Sequence, residues 1–378
     1  MFKRVRVALI VPLASLSGRY GGPYESGLDQ AGLLQKSGEF DVAFVAPHLP
    51  NDAPEPLPSL LSTSAEVRPI IPGTGFLLLA SRKAFSELKH QIDVAEIIHL
   101  TISRELYPLV ALIMSLRAGK PFVVQPHGML TARTNFVHKT IDLFLKPLLR
   151  KSNLAMALTP VEKDDLLRWF GRNPPPIEVL GNPISANTLA TFAPIHEFGA
   201  NEALFLARLH PRKRVEDFVN AAQIASANGW TEKYVVVGPD QGDGDLVRSA
   251  VERIVNLEYE GAIPGQKVAE RLARSRVFVL PSLKEPWGKV LVDAISIGIP
   301  VVLTESAALA ETIRESGAGV VVADHSPGDI ASAVHDIVTM SQADYTAISM
   351  RARALAINRF GNEAVSMELV RILKSIRS

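Results

Sequence analysis

The sequence predicts an α/β protein of two Rossmann-like, doubly wound domains that face a central cleft. Its 378 residues suit two ordinary domains. Short apolar runs alternate with helical patterns along the chain, which is typical of parallel sheets covered by helices on both faces. A proline-containing interruption over residues 182–201 separates two similar sets of elements and predicts a hinge.

Strands are expected where roughly four to eight apolar residues run together, and helices where apolar residues recur every three or four positions. The predicted strands are residues 5–11, 42–46, 97–100, 122–125, 154–158, 177–180, 204–207, 234–237, 277–280, 301–304 and 319–322. The predicted helices are residues 24–36, 105–116, 135–149, 161–170, 215–228, 266–274, 290–297, 309–315, 327–340 and 363–376. We therefore expect an N-terminal domain over 1–185, a C-terminal domain over 186–355, and a last helical segment, 356–378, that can cross back to the N-terminal domain.

Composition excludes several classes of site. The chain has no cysteine, so disulfides, thiolate zinc sites, iron–sulfur clusters and cysteine nucleophiles are ruled out, and a reducing cytoplasm is the expected compartment. The formal net charge of +1 offers no general attraction for nucleic acid. The first residues predict no signal peptide, and no apolar run approaches the roughly 18 residues that span a bilayer. Any membrane contact is therefore expected to be peripheral.

The near-neutral charge is an average over two halves of opposite sign. Residues 1–190 hold 20 basic and 16 acidic side chains, and the remaining residues hold 20 and 23. Most of the basic excess lies in residues 117–151, where seven cations and one acid are interleaved with phenylalanine and leucine. Such a basic amphipathic segment predicts peripheral contact with an anionic membrane. The alternative is a solvated helix packed on its own sheet.

Two cations follow the first strand of the C-terminal half. Arg208 comes directly after the strand, and Lys213 lies five residues later, before a helix. Because the amides of a helix N-terminus also attract anions, cations at this position predict a diphosphate site. The alternative is a surface loop that is simply rich in basic residues.

Two acids follow the strand predicted at 277–280. Glu285 lies on the loop, Gly288 permits close backbone approach, and Asp293 lies about one turn into the next helix. Carboxylates so placed can accept hydrogen bonds from sugar hydroxyls, and free helix amides can bind phosphate oxygens. The alternatives are a favourable charge at a helix N-terminus for Glu285 and a solvated helix residue for Asp293.

Together these residues carry a family resemblance. The segment from Pro281 to Val302 resembles the E-x7-E signature of retaining nucleotide-sugar glycosyltransferases of the family 4 type, which have the GT-B fold. Arg208, Leu209 and Lys213 are similar to the arginine and lysine element of the same family. Further matches are Gly21-Gly22, Gln125 to Leu130, Gly181-Asn182-Pro183 and Val237-Gly238.

The resemblance implies a role for each matching residue of the C-terminal half. Arg208 and Lys213 would neutralise the donor diphosphate as it leaves, in place of a metal ion. Glu285 would hold hydroxyls of the donor sugar. Asp293 stands where the family usually has a glutamate bound to the ribose; because aspartate is one methylene shorter, that contact would be longer, water-mediated or absent. The other implied donor-binding positions are Trp287, Gly288, Lys289, Val290 and Gly238.

The resemblance also implies contacts from the N-terminal half. Gly21 and Gly22 would let the first loop approach the donor phosphate and the acceptor, and Asn182 is expected among the donor-binding residues. His127 would lie beside the transferred sugar, just past a strand's carboxyl end, where doubly wound folds bind ligands. It would donate a hydrogen bond, because retention without an enzymic nucleophile needs no general base with a pKa near 7. A purely structural histidine is the alternative.

The function so implied is that of a metal-independent, retaining hexosyltransferase with no bound cofactor and a nucleoside diphosphate sugar as co-substrate. UDP-glucose is the first expected donor and GDP-mannose the second. The expected acceptor is a saccharide or lipid-linked saccharide of bacterial envelope or exopolysaccharide assembly, at the inner membrane face. The alternatives are a nucleotide-sugar-binding regulator without transfer activity and a nucleotide-sugar epimerase of the same architecture.

Two other enzyme classes fit the sequence less well. Asp243-Gly244-Asp245 is a D-x-D triplet of the kind that binds Mn²⁺ or Mg²⁺ in transferases of another fold, but it follows a strand in a turn rich in glycine and aspartate. A nicotinamide dehydrogenase would need a G-x-G-x-x-G motif between a strand and a helix, and the sequence has none there.

Overall fold

The computed structural model describes residues 4–14, 22–50, 52–53, 61–71, 73, 75–131, 136–185, 188 and 201–377. Gly21 and most of the predicted hinge at 182–201 lie outside these residues. The chain divides into an N-terminal unit, Met1–Pro183 with Asn362–Ser378, and a C-terminal unit, Ile184–Gly361. Each unit is an α/β structure with its own parallel sheet, which confirms the predicted fold class.

The N-terminal unit contains nine strands and six helices in its described part. The strands are β1 (Val5–Ile10), β2 (Phe40–Val45), β3 (Leu61–Thr63), β4 (Arg68–Pro69), β5 (Leu79–Ala80), β6 (Ile97–Thr101), β7 (Phe122–Gln125), β8 (Leu154–Ala157) and β9 (Ile177–Val179). The helices are α1 (Pro23–Lys36), α2 (Arg82–Val94), α3 (Leu106–Arg117), α4 (Phe136–Leu149), α5 (Pro160–Phe170) and, at the end of the chain, α13 (Asn362–Ser375). Seven strands form a parallel sheet in the order β3-β2-β1-β6-β7-β8-β9, and β4 pairs with β5.

Helices cover both faces of this sheet because its central strands are apolar on both sides. Along β1, Ala8 and Ile10 are buried with residues of α2 to α5, whereas Val7 and Leu9 are buried with residues of α1 and α13. The last helix therefore completes the N-terminal unit. It begins at Asn362 and not at 356, since residues 356–360 end the long helix that precedes it.

The C-terminal unit has six strands and seven helices in its described part. The strands are β10 (Glu202–Leu206), β11 (Lys233–Val237), β12 (Leu257–Gly261), β13 (Val277–Leu280), β14 (Val301–Thr304) and β15 (Gly319–Val322). The helices are α6 (Val215–Ala227), α7 (Gly244–Val251), α8 (Val268–Ala273), α9 (Lys289–Ser296), α10 (Ala310–Ser316), α11 (Pro327–Thr339) and α12 (Gln342–Phe360). Within the described ranges of both units, no helix combines the length and the apolar character that crossing a bilayer requires.

The sheet of the C-terminal unit has the strand order β12-β11-β10-β13-β14-β15, and all its pairings are parallel. The chain moves outward from β10 in one direction and then outward from β13 in the other. This reversal is the topological switch point of a doubly wound sheet, where a crevice opens beyond the carboxyl ends of the strands. The fold therefore makes the loops after β10 and β13 the expected ligand-binding loops of this unit.

Candidate active site

The two motifs predicted to bind the donor meet at this switch point. Arg208 and Lys213 follow β10, and Glu285 follows β13, which is the neighbour of β10 in the sheet. The Nζ of Lys213 contacts Oε2 of Glu285 in an ion pair whose side chains are only 13% and 8% exposed. The Leu283 amide also donates to the Arg212 carbonyl at 3.0 Å, so backbone and side chains both join the two loops.

The electrostatics of this cluster favour an anion. Burial lowers the pKa of Arg208 and of Lys213, and the neighbouring Arg212 lowers both further. Burial also opposes ionisation of Glu285, but Lys213 and Arg212 outweigh it and hold the pKa of that carboxyl below its usual value. Lys213 thus contacts an ionised carboxylate, Arg208 and Arg212 act electrostatically on the same cluster, and a bound anion would relieve the repulsion among the three cations.

Two glycines shape the backbone around the cluster. Gly238 follows β11 with a φ of 152°, and a Cβ there would lie 1.8 Å from the carbonyl oxygen of Ala207, so only glycine lets the ends of β10 and β11 meet. Gly288 precedes α9 with a φ of 72°, and its Cβ would lie 3.1 Å from Leu280 Cδ2. Both glycines therefore support the loops that carry Arg208 and Glu285.

The start of α9 positions the other residues predicted to bind the donor. The amides of Lys289 and Val290 lie in its first turn, where a helix leaves amides without helical partners. Trp287 is buried with its ring edge-on to Phe360, at 5.0 Å between ring centres. Its side chain is thus part of the core of the unit, and its backbone is the part that can contact a ligand.

Asp293 lies in the second turn of α9 and is buried. Its Oδ1 accepts a hydrogen bond from Thr188 Oγ1 at 2.9 Å, so the carboxylate has a partner within its own unit. Sequence reasoning missed Thr188, whose neighbours on both sides lie outside the described residues.

The turn after β11 binds Asp245 of the D-x-D triplet and the neighbouring Asp240, while Asp243 lies at the N-cap of α7 without a side-chain capping bond. The Oδ1 of Asp240 accepts from the amides of Gly242 and Gly244 at 2.9 and 3.0 Å. Arg248 then donates to Asp240 at 3.1 Å and to Asp245 at 2.6 Å. These bonds belong to the turn and the first turns of α7, as the predicted turn chemistry implies.

In the N-terminal unit, His127 lies on a tight turn directly after β7. Its φ is 51°, an uncommon conformation for a residue other than glycine, and Gly128 follows at 76°. Glu162 on α5 stabilises this turn, because its carboxylate accepts from the Gly128 amide at 2.5 Å and from the Leu158 amide at 2.7 Å. Holding such a conformation costs on the order of 1–3 kcal/mol, which these bonds offset.

Sequence reasoning missed Glu162 and Arg104, which both hold the His127 turn. The guanidinium of Arg104 donates to the carbonyls of Met129 at 2.6 Å and Thr131 at 2.9 Å. A signal for Glu162 exists, since Thr159 and Glu162 have the spacing of a capping box and Thr159 Oγ1 does accept from the Glu162 amide at 3.1 Å. No sequence pattern points to Arg104.

Burial keeps the imidazole of His127 neutral. It lowers the pKa of His127 to about 3, and the nearby His99 lowers it further. His99 lies fully buried on β6 with Nε2 at 3.2 Å from Gln125 Oε1, and burial lowers its pKa to about 4. At neutral pH His127 therefore carries no positive charge. Its expected hydrogen bond to the transferred sugar stays a prediction.

These buried histidines predict a loss of stability in acid. An unfolded imidazole has a pKa of about 6.5, so below that pH the unfolded chain binds protons that the folded chain does not. We expect each histidine to lower the free energy of unfolding by about 1.4 kcal/mol per pH unit between about pH 6 and 4. His127→Gln should flatten this slope relative to the wild type in urea unfolding followed by Trp169 fluorescence, with Trp230 and Trp287 replaced by phenylalanine in both proteins. An unchanged slope would contradict a buried, neutral His127.

The remaining predicted residues lie in the N-terminal unit. Gly22 caps α1 with a φ of −71°, a conformation that any residue can adopt. A Cβ at this position would meet nothing within 4 Å among the described residues, so the space beside Gly22 is open. Asn182 is buried, and its Oδ1 lies 3.5 Å from Gln30 Nε2 on α1. The donor contacts expected of Gly22 and Asn182 stay predictions, as do those of Gly21.

Comparison with known proteins gives two family matches. Residues 200–340 match the family described as Glycosyl transferases group 1, and residues 28–188 match Glycosyltransferase Family 4. D-inositol 3-phosphate glycosyltransferase 2 of Catenulispora acidiphila is 27% identical over 200 residues, which cover 47% of this chain and 46% of that protein. O-antigen chain mannosyltransferase B of Escherichia coli is 28% identical over 158 residues, which cover 41% and 40%. The chain thus spans less than half the length of these curated relatives.

Solved structures share the fold over almost the entire chain. Sucrose-phosphate synthase from Thermosynechococcus elongatus has a TM-score of 0.72 at 17% identity and 99% coverage of both chains. Anabaena HepE in complex with UDP-glucose has a TM-score of 0.73 at 16% identity, with 98% of this chain and 100% of that chain covered. The two family matches fall on the two units in the same order as the motifs. The chain therefore belongs to the group 1, family 4 type glycosyl transferases, with the GT-B fold.

Proposed function

We propose that this protein transfers a sugar from a nucleoside diphosphate donor to an acceptor hydroxyl, with retention of the anomeric configuration and without a metal ion. The observation that carries the proposal is the cluster of Arg208, Arg212 and Lys213 around Glu285. Family membership supports it, because sugar transfer is the activity that names the family. UDP-glucose, the ligand named for the HepE structure, is the first donor to test, and GDP-mannose is the second.

The cluster can promote departure of the nucleoside diphosphate. As the bond between the anomeric carbon and the diphosphate oxygen breaks, negative charge grows on the leaving oxygens. Fixed cations in a partly buried site stabilise such developing charge without reorganising during the reaction. Arg208 is itself oriented, because its Nη1 donates to Gln241 Oε1 at 3.2 Å. This stabilisation is the role that a bound divalent cation would otherwise fill.

The acceptor side of the reaction needs little acid–base chemistry from the protein. The acceptor oxygen forms its bond to the anomeric carbon on the face that the diphosphate leaves, and its proton passes to a leaving-group oxygen. Glu285, kept ionised by Lys213 and Arg212, would accept hydrogen bonds from hydroxyls of the donor sugar. His127, which is neutral, would donate a hydrogen bond to the sugar or phosphate.

We further propose that the acceptor is a saccharide, free or lipid-linked, in envelope or exopolysaccharide assembly, and that the reaction takes place in the cytoplasm at the inner membrane face. The name of the E. coli relative, an O-antigen chain mannosyltransferase, supports a polysaccharide acceptor. The basic excess of residues 1–190 supports an acceptor that carries phosphate.

One observation favours a second candidate, a nucleotide-sugar-binding regulator without transfer activity. Asp293 occupies the position at which the family usually contacts the ribose, and here its carboxylate is bound to Thr188. A site that binds the donor but lacks this contact would suit a sensor as well as an enzyme.

An assay of UDP release from UDP-glucose in EDTA, with oligosaccharide and lipid-linked saccharide acceptors, tests the proposal. We expect release without added metal and an α-linked product by NMR from the α-linked donor. Glu285→Gln should abolish turnover while donor binding is largely kept. Activity that disappears in EDTA and returns with Mn²⁺ would refute the metal-free mechanism, a β-linked product would refute retention, and tight binding without any turnover would favour the regulator.

A further inference from the structure

The helix α4 has apolar side chains on two opposite faces. Leu145 and Leu149 point inward and are buried in the core of the N-terminal unit. On the other side, Phe136 is 81% exposed, Leu143 72% and Phe144 69%. These three share a face because seven or eight residues make about two helical turns. A helix packed on its own sheet is expected to be polar there, so the fold of this unit does not explain the outward face.

Cations surround this outward face. Lys139, Lys146, Arg150 and Arg168 line an open groove of about 520 Å³ beside α4, and the indole of Trp169 forms part of its wall. The Nζ of Lys146 lies 5.0 Å from the centre of the Trp169 ring. The groove therefore offers positive charge next to exposed apolar side chains.

Asp142, the only acid in residues 117–151, also lines this groove, but its carboxylate is bound inside the unit. Its carboxylate accepts from Arg104 at 2.8 and 3.0 Å and from Trp169 Nε1 at 2.9 Å. Because Arg104 and Asp142 are both buried, their charges neutralise each other inside the unit. Arg168 is paired with Asp165, so Lys139, Lys146 and Arg150 provide the net positive charge beside the outward face of α4.

We propose that the outward face of α4 is a docking surface for an anionic membrane. Phe136, Leu143 and Phe144 enter the boundary between headgroups and acyl chains, and Lys139 and Lys146 contact lipid phosphates. An apolar stripe bordered by basic residues is the pattern by which helices bind in the plane of an anionic bilayer. The proposal concerns a surface other than the sugar-nucleotide site and holds whether or not the proposed function is correct.

Charge argues for a membrane over a second copy of this chain. A symmetric dimer would bring the same patch together from both copies, so the cations of both patches, Lys139, Lys146 and Arg150 among them, would share one interface. Like charges brought together in this way destabilise an interface. Lipid phosphates provide the complementary charge instead.

The structure also narrows the segment that the sequence predicts for membrane contact. Within residues 117–151, Lys120 donates from Nζ to the Ala95 carbonyl at 2.7 Å, so it serves the fold. Arg133 lies outside the described residues. The contact is therefore assigned to α4. Arg104 bonds both Asp142 of α4 and the carbonyls of Met129 and Thr131, so docking would hold the His127 turn near a lipid-borne acceptor.

Vesicle co-sedimentation of the full chain, without sugar nucleotide, tests this proposal. We expect binding to phosphatidylcholine vesicles that contain phosphatidylglycerol, no binding to pure phosphatidylcholine, and weaker binding as salt increases. The double variant Leu143→Ser/Phe144→Ser should bind at least about tenfold more weakly. Lys139→Gln should weaken binding to the anionic vesicles about fivefold. The control Val255→Ser/Met350→Ser removes exposed apolar side chains from the C-terminal unit and should bind as the wild type does.

Three results would overturn the proposal. The wild type would fail to bind anionic vesicles, or the Leu143→Ser/Phe144→Ser variant would bind them as tightly as the wild type. The third is a dimer in vesicle-free sedimentation velocity that the same double variant dissociates, because a second copy would then be the occupant of this face.

Discussion

Arg208→Ala is expected to lower kcat by about 10²–10³-fold, which corresponds to about 3–4 kcal/mol of lost transition-state stabilisation. The KM for the sugar nucleotide should change much less. The reason is that charge on the leaving diphosphate grows as the reaction proceeds, so a cation at the switch point binds the transition state more strongly than the bound donor. Steady-state kinetics over a range of donor concentrations separate the two constants.

A matched control for Arg208→Ala is Arg253→Ala. Arg253 lies exposed in the same unit, where its Nε donates to the Ser249 carbonyl at 3.0 Å. Its replacement removes the same charge without touching the switch point and should leave both constants unchanged. An equal loss in kcat and in donor affinity for Arg208→Ala would show that Arg208 binds ground state and transition state alike, contrary to the proposed role.

Variants of Lys213 and Glu285 should separate what their ion pair contributes to stability from what it contributes to activity. Lys213→Met leaves Glu285 buried without its partner, and Glu285→Gln leaves the cations without their carboxylate. Each single variant is expected to lower the free energy of unfolding by about 3 kcal/mol. The double variant removes both charges and should recover most of that stability. Transfer activity should stay at least about 10²-fold below that of the wild type in both single variants and in the double variant, because the diphosphate still lacks a cation or the sugar lacks its carboxylate.

A second buried pair in the same unit is the control for this cycle. Arg271 Nη1 contacts Glu202 Oε1 at 2.7 Å, with side chains 4% and 10% exposed, and Nε of Arg271 also contacts Glu260 Oε2 at 2.7 Å. Arg271→Met and Glu202→Gln should lower stability in the same way, yet leave turnover per folded molecule unchanged. Denaturant unfolding and activity of the folded fraction provide both readouts. Recovery of activity in the Lys213→Met/Glu285→Gln double variant would show that the pair serves the fold alone.

Most of the fold is readable in the sequence because buried parallel strands are short and continuously apolar. The predicted strand at 277–280 matches β13 residue for residue, and the helix predicted at 327–340 differs from α11 only at its last residue. The edge strand β12 was not predicted, because Glu258 and Glu260 alternate with Leu257 and Tyr259 along it. A strand at the edge of a sheet is solvated on one side, and so lacks the continuous apolar run of a central strand.

Three helices, α2, α7 and α12, were not predicted, because their buried faces also lack a clear apolar pattern. In α2 the buried apolar residues are only Ala84, Leu88 and Ile92, a stripe too narrow to stand out from a polar background. In α7 and α12 much of the buried face consists of alanine, serine and glycine, whose burial depends on close helix contacts that a single sequence does not reveal. Tertiary packing, and not local preference, forms these helices.

In the candidate site, too, some residues could be predicted from the sequence, whereas their contacts depend on the fold. Arg208, Lys213 and Glu285 could be selected because they follow apolar strands, where parallel sheets bind ligands. Their pairing could not be predicted, since it depends on β10 and β13 being neighbours in the sheet. Glu162 and Arg104 act on the His127 turn through bonds from distant elements, and such contacts exist only once the chain has folded.

We propose that the loops after β10 and β13 bind the diphosphate of a sugar nucleotide. Thermal unfolding in EDTA with uridine, UDP, UDP-glucose and GDP-mannose, on the wild type and on Arg208→Ala/Lys213→Met, tests it most directly. A ligand at 100 times its Kd adds about 2.7 kcal/mol to stability. We expect UDP and UDP-glucose to raise the Tm of the wild type by about 5 °C or more, uridine to have little effect, and the variant to lose the shift. No response to any nucleotide, or an equal response in wild type and variant, would contradict the claim.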